Sequence, residues 1–272
     1  MPDSNRVRSS SGGEPKAAAD DSVEFLDADF LKIVSGLEDQ CERLSFERLP
    51  TLGEKAPKCR EALGVCLSLL HQVGSCAWGC IHEDHVLEYL VGRCTTVARG
   101  SLRLLQMGLY DESLALNRNL SEIANLLTLF ANQNSSLEAW KAADDKARKS
   151  QFSPVRVRLA LEGFGTPIIV NEDRYSRLSA IATHVTPRTA PQRHNPVGRP
   201  VISPVFQEAG FLLCLNELAL PTVFVCFSIT QLFPFDRDRR LKLVRAGSHL
   251  IAATGGVTVD RIDQLFKPEG SS

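Results

Sequence analysis

Arg177 and His184 stand seven residues apart in the stretch RYSRLSAIATHVTP, an otherwise helix-like run that ends at Pro187. In an α-helix seven residues fall about 20° short of two full turns, so the guanidinium and the imidazole would share one face, roughly 10 Å apart along the axis. Leu178, Ile181 and Val185 lie to one side of them as a buried stripe. Histidine changes charge near neutral pH, while arginine stays charged and can hold two phosphate oxygens at once. Metal-free cleavage of a phosphodiester needs those two functions, one to move the 2′-hydroxyl proton and one to balance charge on the phosphate. A cation in the last helical turn is also favoured by the helix dipole by about 0.3–1 kcal/mol, with or without a catalytic role.

A second polar line accompanies this pair. Arg118, Ser121, Glu122 and Asn125 recur at spacings of three and four in a Leu-rich helical segment, which puts them on one face. Glu122 would orient the His184 imidazole, and Arg118 and Asn125 would line the substrate side. The same stripe would serve equally as a hydrogen-bond network between packed helices. Arg174 and the basic residues Arg188, Arg193 and Arg199 would contact RNA phosphates.

CAWGCIHEDH gathers Cys76, Cys80, His82 and His85, all ligand types that zinc accepts. The spacing differs from that of a standard zinc finger. On a helix Cys76 and Cys80 would share a face and the two histidines would point elsewhere, whereas a bend at Gly79 would let them converge. The expected chemistry calls for no metal and no cofactor, so a Cys/His metal-binding protein is a third reading, behind phosphodiester cleavage and a protein-binding module. Gly-rich phosphate loops, G-x-S-x-G, H-E-x-x-H and paired E-x-x-H motifs do not occur.

The elements that position these groups read as helices almost throughout. Apolar residues recur every three or four positions, Leu and Ala dominate, and aromatics make up 7% of the 272 residues. Met1 to Asp21 has the Ser, Gly, Asp and Pro content of a disordered tail and no apolar core of the signal-peptide kind. A helical bundle is expected over residues 22–186, with helices from Ser22 to about Leu49, Ala56 to Val73, Glu83 to Met107, Tyr110 to Asn132, Leu137 to Lys149 and Pro154 to Leu161, and one opened by Asp173. Gly108 would cap the third, and the short turn after it predicts an antiparallel helical hairpin. Residues 187–204 hold five prolines and no acid, a long basic loop. Residues 205–272 would pack on the bundle as C-terminal helices: Val205 to Phe233, kinked at Pro221, then one capped by Asp236 and running to Ala253, and a short one from Val259 to Phe266. The stretch from Leu218 to Phe235 approaches a membrane span in length, but Pro221, Gln231 and Pro234 interrupt it, and it reads as a core helix.

Net charge is −1, from 31 basic and 32 acidic residues, which argues against bulk attraction to nucleic acid or to an anionic membrane. The eight cysteines read as reduced and buried, and the cytoplasm is the default location.

SLRLLQMGLYDESLALNRNLSEIANLL, followed by KSQFSPVRVR and YSRLSAIATHVTP, resembles a widespread family of uncharacterised bacterial all-helical proteins. In that family a helical hairpin with an Arg-x3-Glu pattern precedes a Tyr-x2-Leu-Ser…His-x-x-Pro segment. The resemblance covers roughly Ala98 to Pro187. The Arg-x6-His spacing is similar to the signature of the HEPN superfamily, which includes ribonuclease toxins and phage-defence proteins. It departs at Leu178, where HEPN nucleases commonly carry a polar residue. The resemblance implies an all-α HEPN-like bundle, often a homodimer with the Arg and His at the interface. The function it implies is stress or phage defence by a metal-independent endoribonuclease with RNA as substrate and an antitoxin as partner. Arg177 and His184 would take the catalytic roles. The competing class is a non-enzymatic helical module that binds a partner protein.

Overall fold

Leu and Ala at helical spacing build helices and no strands among the described residues, which are 29–80, 83–165, 168, 171–184, 187, 195, 198 and 204–254 of this computed structural model. In chain order these are α1 (Phe30–Arg48), α2 (Lys55–Gly74), α3 (Val86–Gln106), α4 (Tyr110–Asn132), α5 (Asn134–Ala142), α6 (Asp145–Gln151), α7 (Pro154–Gly163), α8 (Glu172–Leu178), α9 (Glu208–Leu232) and α10 (Arg237–Ala253). A 3-10 turn, Leu49–Thr51, follows α1, and a π-turn, Ser179–Thr183, follows α8. The expected tail, Arg188, Arg193, Arg199 and the helix at Val259 to Phe266 lie outside the described residues.

The centre of the fold is α9, which packs against α2, α3, α4 and α10. A helix apolar on every side must be covered on every side, and Phe211, Leu213, Leu215, Leu218, Val223, Val225 and Ile229 are all buried. Length and composition alone would let α9 cross a membrane, yet most of it is enclosed by the other helices. Pro221 does not interrupt the helix, and α9 runs on from Glu208 to Leu232. The proline removes the N–H that would otherwise bond the Glu217 carbonyl, while the Thr222 hydroxyl donates to the Leu218 carbonyl at 2.8 Å.

α3 and α4 are joined by Met107, Gly108 and Leu109 and pack along each other. Gly108 has φ +81, and a Cβ there would come 2.7 Å from the Cys41 sulfur, so the turn accepts only glycine. Across the two helices the Ser101 hydroxyl meets the Ser113 hydroxyl at 2.9 Å and donates to Asn117 Oδ1 at 2.5 Å. Asn117 Nδ2 then donates to the Cys214 carbonyl on α9 at 3.1 Å. Tyr110, fully buried, accepts from the Gln207 amide at 2.9 Å and ties the start of α4 to the start of α9.

The expected single helix over Leu137 to Lys149 is two. Ala143 and Asp144 are extended, and the Asp144 side chain accepts from the Ala147 amide, so it caps a new helix instead of continuing the old one. At the other end of the chain Asp236 caps α10 in the same way, through Arg239 N–H.

α2 and α3 come into close backbone contact where two glycines face each other. A Cβ on Gly74 would lie 2.7 Å from Gly92 N and 2.8 Å from its Cα. Backbone cannot yield as a side chain does, so Gly74→Ala is expected to cost about 1–3 kcal/mol, measured as a shift in the urea midpoint at unchanged m-value. A shift within about 0.3 kcal/mol would mean that the helices are not in contact there.

All eight cysteines are free and six are buried. Burial pushes the Cys59 and Cys94 thiols up to about 12, so at neutral pH they are unreactive thiols filling the core.

Candidate functional site

Tyr175 is the hub at which α4, α7 and α8 bring charged groups together. The Arg118 guanidinium lies over its ring at 4.3 Å from the centroid and donates to its hydroxyl. The Arg158 guanidinium lies over the same ring at 4.9 Å. Such placements are favourable because the ring face is negative, by about 0.5–2 kcal/mol each. Arg118 also forms an ion pair with Glu122 at 3.0 Å, one turn along α4. The cluster thus holds two guanidiniums and one carboxylate, and only Arg118 pairs with the acid.

Local sequence explains each position. α7 starts at Pro154, and its inner face carries Val157, Arg158 and Leu161, all buried. α8 starts at Asn171, whose side chain accepts from the Arg174 amide at 2.9 Å. That start directs Arg174 and Leu178 inward and leaves Arg177 exposed. Leu129, Val157 and Leu161 form a small apolar cluster of their own beneath the site.

Two donors in the cluster lack acceptors. Arg158 is 6% exposed, and its Nη1 has no hydrogen-bond partner. Arg118 Nε is buried and likewise has none. Buried donors are paired in at least nine cases in ten, and an unpaired charged one is the costliest kind. Both donors belong to side chains packed against one ring, and an acceptor with negative charge would satisfy either of them.

Beside the Tyr175 cluster Arg174 donates from Nε and Nη2 to Glu217 Oε2, at 3.1 and 2.7 Å. The acid comes from the core helix α9 and is 2% exposed, and Arg174 is 9% exposed. Arg174 is therefore committed to a carboxylate in the interior, and that corrects the expectation of an RNA phosphate contact from it.

The chain matches no protein-family model, no curated protein and no solved structure. The site thus stands on its own geometry.

Arg177 and His184 do not share a helix face. α8 ends at Leu178, and the π-turn closes with His184 N–H donating to the Ser179 carbonyl at 2.7 Å. A π-turn holds one residue more than an α-turn, and one extra residue rotates the chain beyond it by roughly 100°. His184 itself is extended, with φ −105 and ψ 135, and both side chains are exposed. The polar stripe on α4 also divides. Ser121 and Asn125 are buried, with Ser121 bonded to the Asn117 carbonyl, while Arg118 and Glu122 belong to the Tyr175 cluster. Sequence reasoning missed Arg158, Tyr175 and Glu217. The signal for Arg158 was available: it is an arginine on the apolar face that Val157 and Leu161 define.

A second cluster lies between α2 and α3. Cys76 Sγ and His85 Nδ1 are 3.7 Å apart, and with Cys80 they place three ligand atoms within 4.8 Å of one another. His82 lies outside the described residues. Neither cluster lines the surface groove between α2 and α10, whose walls include Lys58, Glu61, Val65, Ala246 and His249.

Proposed function

We propose that the chain is a HEPN-like helical protein that binds phosphate groups of RNA, with Arg158 and Arg118 as the phosphate-holding residues and His184 as the group that moves the proton in metal-independent cleavage. The observation that carries this is the pair of buried guanidinium N–H groups without acceptors beside Tyr175. A phosphate oxygen supplies the missing acceptor and the missing negative charge together. Further support comes from the all-helical packing and from α3 and α4, which are joined by a short turn and bonded through Ser101, Ser113 and Asn117. The exposed His184 is reachable by a nucleic-acid chain. Defence against phage or stress, a homodimer and a protein antitoxin extend the same proposal.

The test uses a labelled single-stranded RNA in EDTA. Binding measured by anisotropy is expected to weaken with added salt, and cleavage is expected to be lost in His184→Ala while binding persists. RNA that is bound and never cut would leave a phosphate-binding protein without nuclease activity. RNA that is not bound at low salt would remove the proposal and leave a helical interaction module.

A further inference from the structure

We propose that Cys76, Cys80 and His85 form a zinc site that ties the end of α2 to the start of α3. It rests on different residues from the proposed phosphate site and stands or falls separately.

The site is assembled by two departures from helix. α2 ends at Gly74, and the chain then makes a turn in which Gly79 N–H donates to the Cys76 carbonyl at 2.9 Å. Gly79 has φ +101, the bend that returns Cys80 to the side of Cys76. His85, immediately before α3, turns its ring toward the same point. Zinc bound by sulfur at about 2.3 Å and by nitrogen at about 2.0–2.1 Å in a tetrahedron sets sulfur and nitrogen roughly 3.5 Å apart. The observed 3.7 Å between Cys76 Sγ and His85 Nδ1 meets that requirement with almost no movement.

Backbone conformation points the same way. Among the described residues two that are not glycine have positive φ, Cys76 at +58 and His85 at +50, and both are ligands here. Left-handed backbone at non-glycine residues persists where something nearby repays it, and it gathers at ligand sites. The turn is also held from both sides. The Trp78 carbonyl accepts from Arg239 Nη1 at 2.9 Å, and its ring packs edge-on to Phe235. Asp84 pairs with Lys141 at 2.5 Å. A preformed pocket of two thiols and an imidazole selects a borderline-soft cation such as zinc over magnesium or calcium. Binding displaces the two thiol protons to solvent. Cys80 is exposed, so water has access to the fourth position.

The test uses the full chain, reduced and stripped of metal, titrated with Zn(II) against a chromophoric chelator and, separately, with Co(II). One metal per chain is expected, with the near-ultraviolet thiolate-to-cobalt band and the strong visible absorption of tetrahedral cobalt. Cys80→Ser should weaken binding at least tenfold. His85→Gly should do the same at little cost to the metal-free protein, because glycine relieves the left-handed backbone and so offsets the loss of the ring's contacts with Cys76 and Tyr89. Loss of metal without loss of helical circular dichroism separates ligation from misfolding. Absence of stoichiometric zinc, or zinc affinity unchanged in these variants, would overturn the site.

Discussion

Glu217→Leu should destabilise the protein by about 3–5 kcal/mol, because it leaves the Arg174 guanidinium buried without its counter-charge. For a chain of this size that corresponds to a fall in Tm of roughly 6–20 °C. The carboxylate accepts two guanidinium donors from α8 and comes from the middle of α9. Losing it therefore loosens the seam between the core helix and the helix that carries Tyr175. Arg174→Met combined with Glu217→Leu should recover most of the loss, since a buried ion pair replaced by apolar groups is often neutral or better. Thermal or urea melts of the two single variants and the double variant give the coupling directly. A cost for Glu217→Leu below about 1 kcal/mol would show that the pair is solvated in solution.

Arg158→Met should act in the opposite sense on stability and strongly on binding. It removes a buried charge whose Nη1 has no partner and leaves an apolar side chain of similar length beside Val157 and Leu161. The melting temperature should hold or rise. Affinity for a phosphate-bearing ligand should fall by about 1.5–3 kcal/mol, roughly ten- to 150-fold, the worth of hydrogen bonds to a charged group. Titration of wild type and variant with inorganic phosphate and with a short RNA reads both ligands. A purely structural Arg158 would give the reverse result, lower stability with unchanged affinity.

The helices were legible where the pattern was long and uninterrupted. Tyr110–Asn132 follows from its Leu periodicity, and Asp236 announces α10 as a cap. The split between α5 and α6 was hidden because Ala143 and Asp144 are both compatible with helix, and only the cap bond decides. The spacing of Arg177 and His184 misled because it assumes 3.6 residues per turn through Thr183, and an inserted π-turn leaves no mark in the apolar pattern. For the site, residue types alone did not reveal the partners. Arg118 and Glu122 do pair, but Arg174 is taken up by an acid 43 residues further on. No local rule links residues so far apart. The bend at Gly79, by contrast, could be anticipated from a glycine between two cysteines.

The place of α9 in the chain has a consequence for synthesis. Helices α2 to α4 all precede it, yet the surface that buries their apolar faces begins at Glu208. At about 5–20 residues per second, on the order of ten to thirty seconds separate the appearance of Lys55 from that of Leu232. Through that interval the nascent chain presents open greasy faces outside the ribosome, a natural client for chaperones, and its cooperative collapse waits for a segment made after all three of those helices.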